Sequence, residues 1–127
     1  MSKILIVDDE HDVCDVLKET LEYEGFEVHT AYTGDEAMRL TNTGVYDAMI
    51  VDLRLEGSIS GVDVVRHFNH QGSRPKILIS SGTPKALIHS LFEREGIVGL
   101  VDGVLEKPGD LNPDFVTAAI RKVLQHS

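Results

Sequence analysis

The sequence is short of cysteine, of positive charge and of long apolar runs, and each shortage excludes a class of protein. One cysteine, Cys14, leaves no partner for an internal disulfide and no thiolate cluster for a metal. Lys and Arg number 12 against 21 Asp and Glu, a formal charge of −9 that argues against direct nucleic-acid binding. The longest apolar runs are four residues, Ile4-Leu5-Ile6-Val7 and Ala48-Met49-Ile50-Val51, far short of a membrane span. Residues 1–7 hold one Lys and a strand-like run too short for a signal-peptide core, so a cytoplasmic protein is expected. No repeat, low-complexity segment or linker interrupts the 127 residues. One domain is expected over 1–127, with no effector domain.

What is present is a set of short apolar strands that run into polar residues. Ala48 to Val51 lacks the alternation of a half-exposed strand, so it suits a strand covered on both faces. It ends in Asp52. Ile4 to Val7 likewise ends in Asp8-Asp9-Glu10. Phe26 to Ala31 reads as a second strand, Ile77 to Ser81 as a fourth and Gly103-Val104-Leu105 as a fifth. Between them lie helical patterns: Val13, Val16, Leu17, Thr20 and Leu21 up to Gly25, then Ala37, Met38 and Leu40 up to Gly44. Val64, Val65 and Phe68 follow, in a helix ending near Gly72. Leu87, Ile88 and Leu91 lead to Gly96, with Thr83-Pro84 as N-cap and first-turn proline. Val116, Ala119, Ile120 and Val123 follow the Asn112-Pro113 cap. Cys14 reads as core filler, and His67 with His70 as solvated rather than a metal pair.

Strict alternation of five strands and five helices predicts a doubly wound α/β fold with a five-stranded parallel sheet. Parallel strands carry Asp8, Asp9, Asp52, Ser81 and Lys107 to one sheet edge, where α/β proteins bind ligands. Three carboxylates there repel one another without a cation. All-oxygen ligation favours a hard ion such as Mg²⁺. A metal, a lysine and a hydroxyl together suit a phosphoryl group.

In these motifs the chain resembles the receiver (CheY-like) domain of bacterial two-component response regulators. The carriers are Ile6-Val7-Asp8-Asp9-Glu10, Val51-Asp52-Leu53-Arg54, Ser60-Gly61, Ile79-Ser80-Ser81-Gly82 and Glu106-Lys107-Pro108, in that order. The resemblance implies a flavodoxin-like sheet of order 2-1-3-4-5, the order already known for this family. It further implies a signalling phosphoacceptor that catalyses only its own phosphorylation and dephosphorylation. By resemblance Asp52 takes a phosphoryl group from a sensor histidine kinase or a histidine phosphotransfer protein. Asp9 ligates Mg²⁺, with Mn²⁺ as an alternative, Asp8 helps through water, and the Arg54 backbone carbonyl completes the protein ligands. Ser81 and Lys107 bind phosphoryl oxygens and Gly82 keeps the backbone close. Arg54 and Thr83 flank the attacking water. A downstream protein or a second copy is expected on the face of helix four, strand five and helix five.

The chain departs from the family pattern in three places. Glu56 replaces the usual proline in a loop one residue longer than usual. Val104 stands where an aromatic is common, and the span from Ser81 to Lys107 is several residues longer, near Ile97 to Val101. Ile97, Val98, Leu100 and Val101 are therefore expected either to contact a partner or to fold under helix four. A haloacid-dehalogenase-type phosphatase would need Asp-x-Asp after the first strand, and a flavin protein a Gly- and hydroxyl-rich loop there. This chain has neither. The remaining alternative is a degenerate receiver that serves as a constitutive interaction module.

Overall fold

In the computed structural model, which describes residues 2–68 and 74–125, the elements alternate as the sequence pattern requires. They are β1 (Lys3–Val7), α1 (His11–Tyr23), β2 (Glu27–Ala31), α2 (Gly34–Thr43), β3 (Ala48–Asp52), α3 (Gly61–Arg66), β4 (Lys76–Ser81), α4 (Lys85–Glu95), β5 (Gly103–Glu106) and α5 (Pro113–Gln125). Two 3₁₀ turns, Val98–Leu100 and Gly109–Leu111, flank β5. All strand pairs are parallel and the sheet order is β2-β1-β3-β4-β5. The fold is the flavodoxin-like arrangement expected.

Residue parity along the strands decides which helix layer each side chain meets. Leu5, Val7, Met49, Val51, Ile77 and Ile79 pack with Ala37, Val64, Val65, Ile88 and Phe92 of α2, α3 and α4. Ile4, Ile6, Ala48, Ile50, Leu78 and Leu105 pack with Cys14, Leu17, Leu21, Val116, Ile120 and Val123 of α1 and α5. Every residue of β3 is buried, which is why its sequence does not alternate. Each fully buried large aliphatic side chain contributes about 1.5–3 kcal/mol.

The helix boundaries show where local chemistry acts. Thr33 accepts the Glu36 N–H at 3.1 Å and opens α2. Asn112 accepts the Phe115 N–H at 2.9 Å and opens α5. Gly96 closes α4 at φ +71°, a left-handed position that favours glycine.

Four expectations need correction or relocation. Thr83 does not cap α4: Pro84 is extended at ψ 143°, so the helix begins at Lys85, and no side chain caps it. Val16 and Leu87 do not face the core, being 53% and 60% exposed. Each lies one residue, about 100° of helix, from the buried lines through Leu17 and Ile88. Ile97 and Leu100 are buried under α4, and of that segment Val98 and Gly99 are exposed, so it is not an open apolar patch. Arg74 explains the placement, donating to the carbonyls of Gly99 at 3.2 Å and Leu100 at 3.1 Å and to Asp102 Oδ2 at 3.2 Å. The expected end of the third helix near Gly72, and His70, lie outside the described residues. Among those residues no helix is long and apolar enough to cross a membrane.

Candidate functional site

The carboxyl-terminal ends of β1, β3, β4 and β5 deliver polar groups to one cleft. Asp52 is the last residue of β3, and Asp8 follows β1 directly. Both are buried, at 5% and 2% exposure. Lys107 follows β5, and its ammonium lies between them. Nζ donates to Asp8 Oδ2 at 3.0 Å and Asp52 Oδ2 at 3.1 Å, with Glu10 Oε1 at 3.4 Å. The second oxygen of Asp52 accepts the Arg54 N–H at 3.0 Å, and that of Asp8 accepts the Glu10 N–H at 2.9 Å. Asp9 Oδ2 accepts from the Glu56 N–H at 3.3 Å, tying the β1–α1 loop to the long loop after Asp52.

The strand end is held by a close approach. A Cβ at Gly61 would run into the Asp52 carbonyl and the Leu53 Cα, so only glycine lets α3 start against β3. Ser60 and Asp63 form a reciprocal capping box there: Ser60 Oγ accepts the Asp63 N–H at 3.1 Å and Asp63 accepts the Ser60 N–H at 2.9 Å. Those bonds hold the Asp63 carboxyl below the usual carboxylate range.

The electrostatics set carboxylates against burial. Burial raises the Asp52 pKa most. The Arg54 N–H pulls it back, Asp8 raises it further, and Lys107 lowers it, leaving it above the ordinary aspartate value. For Lys107 burial opposes the charge, but the Asp8 hydrogen bond and the Asp52 charge overcome it and the pKa is raised. Cys14, buried on α1, donates its thiol to the Asp8 carbonyl at 3.3 Å. Burial, then Asp8, pushes that thiol up to about 12. Cys14 is therefore core filler that also braces the β1–α1 turn.

Asp8, Asp9, Glu10 and Asp52 each offer an oxygen, and these atoms lie within 4.8 Å of one another. The set is all carboxylate, as a hard divalent cation requires. Glu10 is the member that sequence reasoning does not name as a ligand, although it directly follows Asp8 and Asp9. Ser81 is buried, and its Oγ accepts the Thr83 N–H at 3.1 Å, leaving its own proton free to donate. Its carbonyl accepts the Lys107 N–H at 2.8 Å. Arg54, Gly82, Thr83 and Pro84 line the cleft beside Asp52. Packing does not demand the glycine at 82, since a Cβ there meets nothing within 4 Å. His11 stacks on Tyr32 with ring centroids 3.8 Å apart, joining α1 to the end of β2, a pair no linear pattern announces.

Beside Asp52 in register on β4, Ser80 is buried, and its hydroxyl has no hydrogen-bond partner. An unpaired buried hydroxyl costs about 1–3 kcal/mol. Ser80→Ala is therefore expected to stabilise the fold by about 1 kcal/mol, read as a higher urea midpoint at unchanged slope. A lower midpoint would mean that the hydroxyl is paired in solution.

This constellation matches one known family. The model of the response regulator receiver domain matches residues 4–118. The chain belongs to that family. The receiver is 30% identical over 130 residues to the transcriptional regulatory protein CpxR of Escherichia coli, covering 100% of this chain and 51% of CpxR. It is 41% identical over 66 residues to the response regulator SaeR of Staphylococcus epidermidis, covering 52% of this chain and 28% of SaeR. The chain thus spans about half the length of CpxR, and the matched part is a smaller share of SaeR. Among solved structures, the receiver is similar to the response regulator TrrA of Thermotoga maritima in complex with Mg²⁺-BeF. The identity is 30% and the TM-score 0.78, with 97% of this chain and 99% of that one covered. The chemotaxis protein CheY4 of Vibrio cholerae superposes at TM-score 0.82 and 26% identity, covering 97% and 98%. Response regulator receivers act as signalling phosphoacceptors.

Proposed function

We propose that this receiver accepts a phosphoryl group on Asp52 from a histidine kinase or histidine phosphotransfer protein, and that acceptance alters its binding to a downstream protein. The observation that carries the reading is the Lys107 ammonium held at 3.0 and 3.1 Å between two buried carboxylates, at the mouth of an all-oxygen cluster. In the transfer an Asp52 oxygen forms the new P–O bond as the P–N bond to the donor imidazole breaks, and the imidazole leaves with the bonding pair. The attacking group is the carboxylate form of Asp52, which carries no proton and needs no base.

The donor set fits Mg²⁺, with Mn²⁺ as a substitute. Asp8, Asp9, Asp52 and the Arg54 carbonyl would hold it, with Glu10 as a further oxygen nearby. When bound it neutralises charge on the carboxylates and the transferring oxygens. The chain's own groups do the rest. Lys107 exchanges its bond to Asp52 for one to a phosphoryl oxygen, and the free proton of Ser81 donates to another. The backbone of Gly82 and Thr83 closes the cleft on the β4 side.

Intact-mass spectrometry with acetyl phosphate tests the reading. One phosphoryl adduct is expected with Mg²⁺ and none with chelator or in Asp52→Asn. Equal labelling of wild type and Asp52→Asn would overturn Asp52 as the acceptor, and no labelling of either would favour a constitutive interaction module.

The lifetime of the adduct should depend on Arg54. Its exposed side chain lines the cleft beside Asp52, where a long cation obstructs in-line attack by water. Thr83 offers a short hydroxyl and orients that water poorly. Arg54→Ala is expected to speed loss of the phosphoryl group several-fold, followed by mass after removal of the donor. An unchanged decay rate would contradict this role.

A further inference from the structure

The loop between β3 and α3 forms one wall of the cleft through Arg54, Leu55 and Glu56, and it is tied down at three points. At its start the Arg54 N–H donates to Asp52 Oδ1 at 3.0 Å. At its middle the Glu56 N–H donates to Asp9 Oδ2 at 3.3 Å. Between these bonds Leu55 packs on the core, while the Glu56 side chain stays exposed. Near its end Ile59 packs on the core beside Gly34, the first residue of α2. A Cβ at Gly34 would lie 2.5 Å from both Ile59 Cγ2 and the Ile59 carbonyl oxygen, so glycine lets the loop settle there.

The bond at the middle of the loop is the one that packing does not require. Asp9 is part-exposed, and among the described residues the Glu56 N–H is the one group that holds its carboxylate. A carboxylate has about four lone-pair sites, so this bond orients Asp9 and leaves its other oxygen free. The ligand atom of Asp9 lies within 4.8 Å of those of Asp8, Glu10 and Asp52. The donor is a main-chain amide. It exists because residue 56 is not proline, which has no N–H, and it owes nothing to the glutamate side chain.

We propose that the Glu56 main-chain amide is a positioning group for the divalent cation. It holds Asp9 in the orientation that ligates, and so links occupancy of the metal site to the placement of the loop. Metal-ligating carboxylates are commonly held by such outer hydrogen bonds, whose loss lowers metal affinity about 10–100-fold. Without the amide, Asp9 has to be ordered at the moment of binding. The linkage runs both ways: a cation that fixes Asp9 also fixes residues 54–59. Because Ile59 lies against Gly34, the effect reaches the start of α2, beyond the cleft itself. This inference rests on the metal reading of the function proposed above and is independent of phosphoryl transfer to Asp52.

Mg²⁺ titrations of the full chain, without phosphoryl donor, supply the test, followed by calorimetry and by amide shifts. Glu56→Pro removes the N–H, whereas Glu56→Ala removes the side chain and keeps the N–H. Glu56→Pro is expected to weaken Mg²⁺ at least about tenfold, and Glu56→Ala to stay near wild type. Gly34→Ala, which presses on Ile59 from α2, should weaken Mg²⁺ too, although it lies outside the cleft. In the wild type Mg²⁺ should shift the amides of Glu56, Ile59 and Gly34. In Glu56→Pro the shifts at Ile59 and Gly34 should vanish, while Asp8 and Asp52 still respond at higher Mg²⁺. Circular dichroism in chelator checks that each variant folds, and if Glu56→Pro does not, the wild-type shifts decide. Unchanged or tighter Mg²⁺ binding in Glu56→Pro, or an equal loss in Glu56→Ala, would overturn the proposal. So would wild-type shifts confined to Asp8, Asp9 and Asp52. Failure of Mg²⁺ to bind the wild type at all would instead remove the metal reading, and this inference with it.

Discussion

Lys107→Met is expected to destabilise the receiver by about 3 kcal/mol at neutral pH in chelator, the scale for removing one partner of a buried ion pair. The size follows from burial. The Asp8 and Asp52 side chains are 3% and 7% exposed and Lys107 16%, so two carboxylates would remain close together without a counter-charge. The pH dependence has a definite sign. The Lys107 pKa is raised by folding, so its contribution is complete below the ordinary lysine value and fades only as pH rises through the raised one. The Asp52 pKa is also raised, because burial disfavours its charge. Its neutral form therefore favours folding at low pH, and that advantage is lost as pH rises through the raised value. The penalty of Lys107→Met should accordingly be full from neutral to mildly alkaline pH and shrink as pH falls toward about 4, where carboxylates protonate. Urea titrations of both proteins across that range measure it. A penalty independent of pH would show that packing, not charge, is what Lys107 contributes.

Divalent metal should act on the same cluster from the other direction. Four carboxylates with oxygens within 4.8 Å of one another repel, and one lysine meets three of them, Asp8, Glu10 and Asp52. A ligand that binds only the folded state stabilises it by about 2.7 kcal/mol at a hundred times its dissociation constant. Mg²⁺ is expected to raise the melting temperature of the wild type, and Asp9→Asn to remove most of that rise while leaving the metal-free fold intact. Asp9 suits the test because it is part-exposed and bonds only the Glu56 N–H among the described residues, at 3.3 Å. The metal should also rescue part of the Lys107→Met defect, since a cation then replaces the lost one. If Mg²⁺ stabilised Asp9→Asn as much as wild type, the cluster would not be the binding site.

The parts of the site legible in the sequence are those fixed by a strand end. Asp8, Asp52, Ser81 and Lys107 each close or follow a short apolar run, and parallel topology brings such ends together whatever the loops do. What stays hidden depends on rotation about a helix or on partners distant in sequence. Val16 and Leu87 fit an apolar helical pattern, yet a turn of one residue puts them in solvent. Ile97 and Leu100 are compatible with either a patch or a core. Arg74, more than twenty residues earlier, decides for the core by clamping the turn that carries them. Ser80 reads like Ser81 in the sequence, but alternation turns one hydroxyl to a loop amide and leaves the other unpaired. The start of α4 escapes the sequence pattern because Thr-Pro is a common cap, whereas here the Thr83 N–H is committed to Ser81.

Reduction of the phosphorylated protein with tritiated borohydride tests the central claim most directly, because an aspartyl phosphate becomes homoserine at the labelled residue. After treatment with acetyl phosphate and Mg²⁺, digestion and sequencing should place the tritium at position 52 alone. Label at Asp8, Asp9 or Glu10, or no label while the intact mass still rises, would contradict Asp52 as the acceptor.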